Sequence, residues 1–136
     1  MQVIHRNSVG KTIDDMAVFF LETEPQHTGG KFPYHYVIDG QGTVFQCVPE
    51  QWVAPGAVAF NEAGVQVALF GDFRKRPPTV KQGLALVRLC QDLYKQGATD
   101  IIGHTEREGG TADPDKVCPG PRLNLDGLRS QVKGAN

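Results

Sequence analysis

A mixed α/β (α+β) fold, with a central, mostly mixed β-sheet flanked by helices, is what this sequence predicts, and three observations carry it. The run "GVQVALFG" (64–71) is almost continuously apolar, as expected of a central strand covered on both faces. The stretch "YHYVIDGQGTVFQCV" (34–48) sets two β-rich runs around Gly40-Gln41-Gly42, a hairpin signal. Thr79, with Gln82 three residues on, makes a capping box ahead of the strongest helical pattern, over 79–96.

The remaining elements fall in order around these. "QVIH" (2–5) is short and β-branched, a strand expected to end near His5. Thr12 and Asp15 form a weaker capping box before "IDDMAVFFLE" (13–22), an amphipathic helix. The Gly and Pro content of 23–33 reads as loop. In the 79–96 helix, Leu84, Val87, Leu93 and Tyr94 are expected on or near one face. "TDIIGH" (99–104) is a further strand ending at His104, residues 105–121 form a long loop, and "LDGLRSQVK" (125–133) closes the chain as a helix. No internal repeat or linker interrupts the sequence, so 1–136 is read as a single domain around one core.

Bulk composition narrows the function. Fourteen basic residues against fifteen acidic ones leave a net charge of −1, which disfavours bulk attraction to nucleic acid or an anionic membrane. No apolar run approaches the roughly 18 residues of a membrane span, and "MQVIHRNSVG" lacks the basic and apolar regions of a secretory signal. Three cysteines, Cys47, Cys90 and Cys118, are an odd count that suits a reducing compartment or metal binding better than a disulfide framework.

Two histidines, His5 and His104, sit at the expected ends of strands, and Cys118 lies in the loop after the second. Neutral imidazole and thiolate are ligands that zinc favours, and catalytic zinc keeps three protein ligands and an open position. The residues are far apart in sequence, and no CxxC or HExxH motif joins them. Pattern alone therefore favours a plainer account: a surface histidine, a satisfied core histidine and an inert buried cysteine.

From Ile4 to Arg129, however, the chain resembles the zinc-dependent N-acetylmuramoyl-L-alanine amidases, a family that includes small phage amidase lysozymes and, more distantly, peptidoglycan recognition proteins. Six pieces match in the family's order: "VIHRNS", "PYHYVIDGQGTVFQ", "NEAGVQVALFGDF", "PTVKQGLALVRL", "IIGHTE" and "KVCPG". Each is weak alone, and the ordered set is specific. The resemblance implies an amidase-like single domain binding one Zn2+ through His5, His104 and Cys118, with Tyr34 and Lys116 as the catalytic pair. It implies hydrolysis of the amide between N-acetylmuramic acid and the L-alanine of the stem peptide. The partner would be peptidoglycan or a muropeptide, with no nucleic acid, no membrane and a monomeric chain. It would be made in the cytoplasm and act on the wall, as an endolysin released by a separate lysis protein or as a wall-recycling enzyme. A non-catalytic peptidoglycan-binding domain and an unrelated interaction module are the rivals, and the full set of ligand and catalytic residues counts against the first.

The chain departs from the family pattern in places. Many relatives have a His pair followed by Thr where this chain has "HRNS". The segment between His104 and Cys118 is longer than in compact phage enzymes and holds Asp113 and Asp115 as competing ligands. No separate wall-binding module is expected to follow, so wall affinity is expected to come from the cleft itself. Glycosidic cleavage is disfavoured on physical grounds, because it needs two carboxyl groups flanking the bond, one with a raised pKa. Glu106, Glu108, Asp113 and Asp115 instead crowd one loop beside a lysine and a presumed metal, which keeps carboxylates ionised.

Other polar residues have structural expectations. His35 should face away from Tyr34 by strand alternation and serve the core, and His27 should be solvated. Cys47 and Cys90 fall in apolar-patterned elements and should be reduced core thiols. Trp52 should either pack or stack on a sugar ring. Glu106 should either orient His104 or be solvated, and "RKR" (74–76) should be a basic surface turn.

Overall fold

The computed structural model describes residues 2–8, 12–28, 31–55, 64–98, 100–107 and 117–134, without the side chains of 27 and 107. Lys116, Glu108, Asp113, Asp115 and the side chain of His27, all singled out above, lie outside the described residues. Strands β1 (Gln2–Asn7), β2 (Tyr36–Ile38), β3 (Val44–Gln46), β4 (Val65–Phe70) and β5 (Ile101–Gly103) form one sheet in the order β3-β2-β4-β1-β5. β1 runs parallel to β4 and β5, β2 runs parallel to β4, and β3 returns antiparallel beside β2. The sheet is mixed, as expected, and the apolar run 65–70 is its middle strand.

Alternation along the strands sends two sets of side chains to opposite faces. Ile4, Ile38, Val67, Leu69 and Ile101 pack with Leu86, Cys90 and Leu93 of α2 (Val80–Lys95) and with Leu128 and Val132 of α4 (Leu125–Gly134). Val37 and Ala68 face the other way, into a cluster with Met16 of α1 (Ile13–Val18), Phe20 and Tyr34. His5 stands opposite Ala68 in the β1–β4 register, where a methyl group leaves room for an imidazole.

Both capping boxes are present, Thr12 with Asp15 and Thr79 with Gln82. Gln82 also reaches inward, donating to the carbonyls of Ile38 and Phe70, so the N-terminus of α2 is tied to the ends of β2 and β4. Asp39 Oδ1 accepts from the N–H groups of Gln41 and Thr43 and shapes the hairpin turn.

Several details differ from the sequence expectation, among them a short 3-10 turn at Pro25–His27 in the segment expected to be loop. β1 continues past His5 to Asn7, because β4 pairs with it through Phe70. The first helix changes to π geometry over Phe19–Thr23. On α2 the buried stripe is Leu86, Cys90 and Leu93, with Val87 and Tyr94 packed at its margin. Leu84, roughly 200° around the helix from Leu86, is exposed. His104–Arg107 forms a single helical turn, α3, at the start of the segment expected to be loop. Among the described residues, no helix is long and apolar enough to cross a membrane.

Candidate metal centre

Strand register brings the first two site residues together. Ile4 is opposite Gly103 in the parallel β1–β5 pair, so the next residue on each side is a histidine. The rings of His5 and His104 lie 4.6 Å apart between centroids. Cys118 arrives from the chain beyond α3, and the ligand atoms of His5, His104 and Cys118 all lie within 4.8 Å of one another. Among the described residues these three are the group that could hold a metal ion.

His5 is 1% exposed. Burial, together with the neighbouring His104, lowers its pKa from 6.5 to about 3, so the ring is neutral at physiological pH, the state a ligand requires. Nε2 lies 2.7 Å from Gln66 Oε1 and donates to it, which leaves Nδ1 as the nitrogen with the lone pair. Gln66 is on the same face of β4 as Ala68, two residues back, and reaches His5 diagonally across the strand pair.

Cys118 is held from three sides. β5 stops at Gly103, so the N–H of Arg6 on β1 is left beyond the β5 pairing, and it donates to Cys118 Sγ at 3.3 Å. Thr105 exchanges two bonds with it: Cys118 N–H donates to Thr105 Oγ1 (2.6 Å), and Thr105 N–H donates to Cys118 O (2.9 Å). Beyond the cysteine, Gly120 has φ +111°, and a Cβ there would stand 2.5 Å from the Phe73 carbonyl carbon. Only glycine permits that approach, and it seats the segment against the turn after β4. Gly103 is more loosely confined, since a Cβ there would come within 2.9 Å of Leu125 Cδ1, the end of a side chain that can shift.

Tyr34 lies just ahead of β2 rather than on it, with its ring 5.0 Å from that of His5. Phe20 and Phe32 meet it edge-on, each 6.1 Å away, and its hydroxyl accepts from Asn7 Nδ2 at 3.0 Å. Burial, opposed by the Asn7 bond, raises the phenol to about 12, so it keeps its proton well above neutral pH.

The other polar residues divide clearly. His35 is fully engaged: Nδ1 accepts from Gln66 N–H (2.8 Å) and Nε2 donates to the Trp52 carbonyl (2.7 Å), so its role is structural, as expected. Burial raises the Cys47 thiol to about 11 and the Cys90 thiol to about 12, which keeps both protonated and inert. Trp52 is 65% exposed, so most of its ring surface is not packed among the described residues. It borders a depression of about 500 Å³ with Lys31, Phe32, Val48 and Val53. Glu106 accepts from Gly103 N–H and pairs with Arg129, so it braces the backbone leading into His104. Arg74 is clamped to Asp72 by two short bonds and is not simply a solvated charge.

Asn7, Gln66, Thr105 and Arg6 were not anticipated. Asn7 could have been, since it is two residues from His5 on one strand, and Gln66 is a lone amide in an apolar run. Thr105 and Arg6 left no signal, because their partners are distant in sequence.

A family model described as N-acetylmuramoyl-L-alanine amidase matches residues 1–121. The chain belongs to the N-acetylmuramoyl-L-alanine amidase family. As a member of that family it is an enzyme, an amide hydrolase. Among curated proteins there is no match. Among solved structures, the N-acetylmuramoyl-L-alanine amidase LysC from Clostridium intestinale superimposes with a TM-score of 0.80 at 23% identity, over 98% of this chain and 84% of that one. The Ph2119 endolysin from a Thermus scotoductus bacteriophage gives 0.75 at 20% identity, over 96% and 82%. Drosophila peptidoglycan recognition protein SD gives 0.73 at 23% identity, over 96% and 78%. At these identities the structural matches establish the amidase and recognition-protein fold alone.

Proposed function

We propose that this amidase is zinc-dependent and cleaves the amide between N-acetylmuramic acid and L-alanine in peptidoglycan, with His5, His104 and Cys118 as ligands and Tyr34 and Lys116 as catalytic groups. The observation that carries the reading is the convergence of two imidazoles and one thiol, with ligand atoms within 4.8 Å, from three distant parts of the chain. Two nitrogens and a sulfur fit zinc, and three protein ligands leave a position open for chemistry. Bound there, zinc would supply Lewis acidity at the scissile carbonyl and make water a nucleophile near neutral pH.

The chain's own residues supply the rest. The buried, neutral His5 is presented in one tautomer by Gln66. Tyr34, which keeps its proton, is suited to donate from its hydroxyl to the oxygen on which charge develops. Asn7 fixes that hydroxyl's position by donating to it, leaving the O–H free to point at substrate. Lys116, two residues before Cys118, would add a second donor, a cationic one. The endolysin and recognition-protein neighbours support peptidoglycan or a muropeptide as substrate, one of them being Drosophila PGRP-LB in complex with tracheal cytotoxin.

Digestion of purified peptidoglycan tests the proposal. New free amino groups on L-alanine should appear without new reducing sugar ends, and a chelator should stop their release until zinc is returned. Reducing ends without amino groups would replace amide with glycosidic cleavage, and digestion indifferent to chelator would remove zinc.

A further inference from the structure

Arg6 occupies an unusual place for a cation. Its side chain is only 16% exposed, and it follows directly on His5. Taking a guanidinium out of water is unfavourable unless charges and acceptors replace the water. Here Nε donates to the Val117 carbonyl at 3.0 Å and lies 4.0 Å from Asp72 Oδ1. The backbone N–H of the same residue donates to Cys118 Sγ. One residue thus grips two consecutive positions of the segment that delivers the thiol.

Asp72 is itself anchored. Arg74 holds its carboxylate through Nε (2.7 Å) and Nη2 (2.6 Å), and the Arg74 N–H donates to it as well. The Arg74 guanidinium, with Arg6 behind it, keeps the Asp72 carboxyl well below the usual carboxylate range. The same turn receives Gly120 in close contact and accepts Arg122 N–H at the Phe73 carbonyl (2.7 Å). Arg6 therefore links the end of β1, the turn after β4 and the Val117–Cys118 segment at one point.

We propose that Arg6, steered by Asp72, is a positioning residue that sets the affinity and geometry of Cys118 as a metal ligand. The proposal rests on the zinc reading above and adds a determinant outside the ligand set. The physical reason is that β5 ends at Gly103, so among the described residues no strand holds the chain near Cys118 against β1. A fork with a fixed plane restores that attachment. By holding Val117, the side chain keeps the backbone N–H of Arg6 aligned on Cys118 Sγ, and losing such outer support typically costs about 10–100-fold in metal affinity.

The test uses the full chain with Zn2+ or Co2+ alone as the probe. Arg6→Gln should bind Zn2+ about tenfold or more weakly in competition with a chromophoric chelator. It should also shift or weaken the thiolate-to-cobalt charge-transfer band of the Co2+ form, a signature that a general loss of stability would leave in place. Should Arg6→Gln not fold, Asp72→Asn, which removes the carboxylate beside Arg6 and keeps Arg6 itself, should show the same change in band and a severalfold loss of affinity. Zn2+ affinity within about twofold of wild type and an unchanged band, in Arg6→Gln or in its substitute, would overturn the proposal. Cys118→Ser is the separate control: wild-type affinity there would mean that the ligand set itself is wrong, whatever Arg6 does.

Discussion

On one face of the sheet Ile4, Val67 and Leu69 meet α2 and α4, while on the other His5 and Gln66 alternate with them and meet Tyr34. The strands are the same, and the forces differ. The first face is held by burial, which is non-directional and asks only that volume be filled. The second buries imidazole, amide and phenol, and each needs a partner at a set distance, because an unmet buried polar group costs more than a met one gains. The α2/α4 face therefore contributes stability alone, whereas the other face carries the polar groups beside a second apolar cluster of Met16, Phe20, Val37 and Ala68. Substitutions on the two should separate fold from function.

The largest effect is expected from Cys118→Ser. It replaces the thiolate with a poor zinc ligand, so native mass spectrometry should show the single zinc lost and peptidoglycan hydrolysis should disappear. The circular dichroism spectrum should stay folded, since Cys118 lies outside both core clusters. Full zinc retention would break the assignment of the polar face.

Leu69→Ala attacks the other face. Leu69 is fully buried in the α2/α4 cluster, and its truncation should cost about 2–5 kcal/mol in urea unfolding. The folded fraction should still carry one zinc. Loss of metal in step with stability would show that the two faces are coupled more tightly than alternation suggests.

Tyr34→Phe sharpens the polar face itself. Removing one hydroxyl should lower kcat by about a hundredfold, or ~2.7 kcal/mol of barrier, if it serves a developing oxyanion. Zinc should remain bound. A wild-type kcat would move the donor role elsewhere.

The smallest effect concerns pH. Asp72 has its folded-state carboxyl held below the ordinary value by Arg74 and Arg6. Its contribution to stability is therefore complete at neutral pH and is lost as pH falls from about 4 through the lowered folded value. Melting of the metal-free protein at pH 7 and at lower pH should show a shallower acid decline in Asp72→Asn than in the parent. Parallel declines would remove Asp72 from the pH response.

How far each face was legible follows from the same physics. Strand 65–70 and helix 80–95 could be read directly, since an apolar run and a capping box are local statements about what a segment buries and where it starts. Leu84 was misplaced because a helical stripe has breadth, and only the docked sheet decides which side of it is covered. His5, His104 and Cys118 could be named through resemblance, and spacing offered nothing, because they come from β1, α3 and a segment after it. Trp52 could not be decided between packing and stacking on a sugar ring, since both use the same aromatic surface.

By itself, then, the order of residues determined the strands, the capped helices and the chemical types available to a site, because these depend on neighbours along the chain. Tertiary structure alone decided that Gln66 would bond to His5, that Asn7 would bond to Tyr34, and that the Arg6 N–H would meet the Cys118 sulfur. Those contacts join residues far apart in sequence. Hydrogen bonds need particular atoms about 3 Å apart, and no periodicity along the chain encodes a distance that only strand register and the packed turn after β4 create.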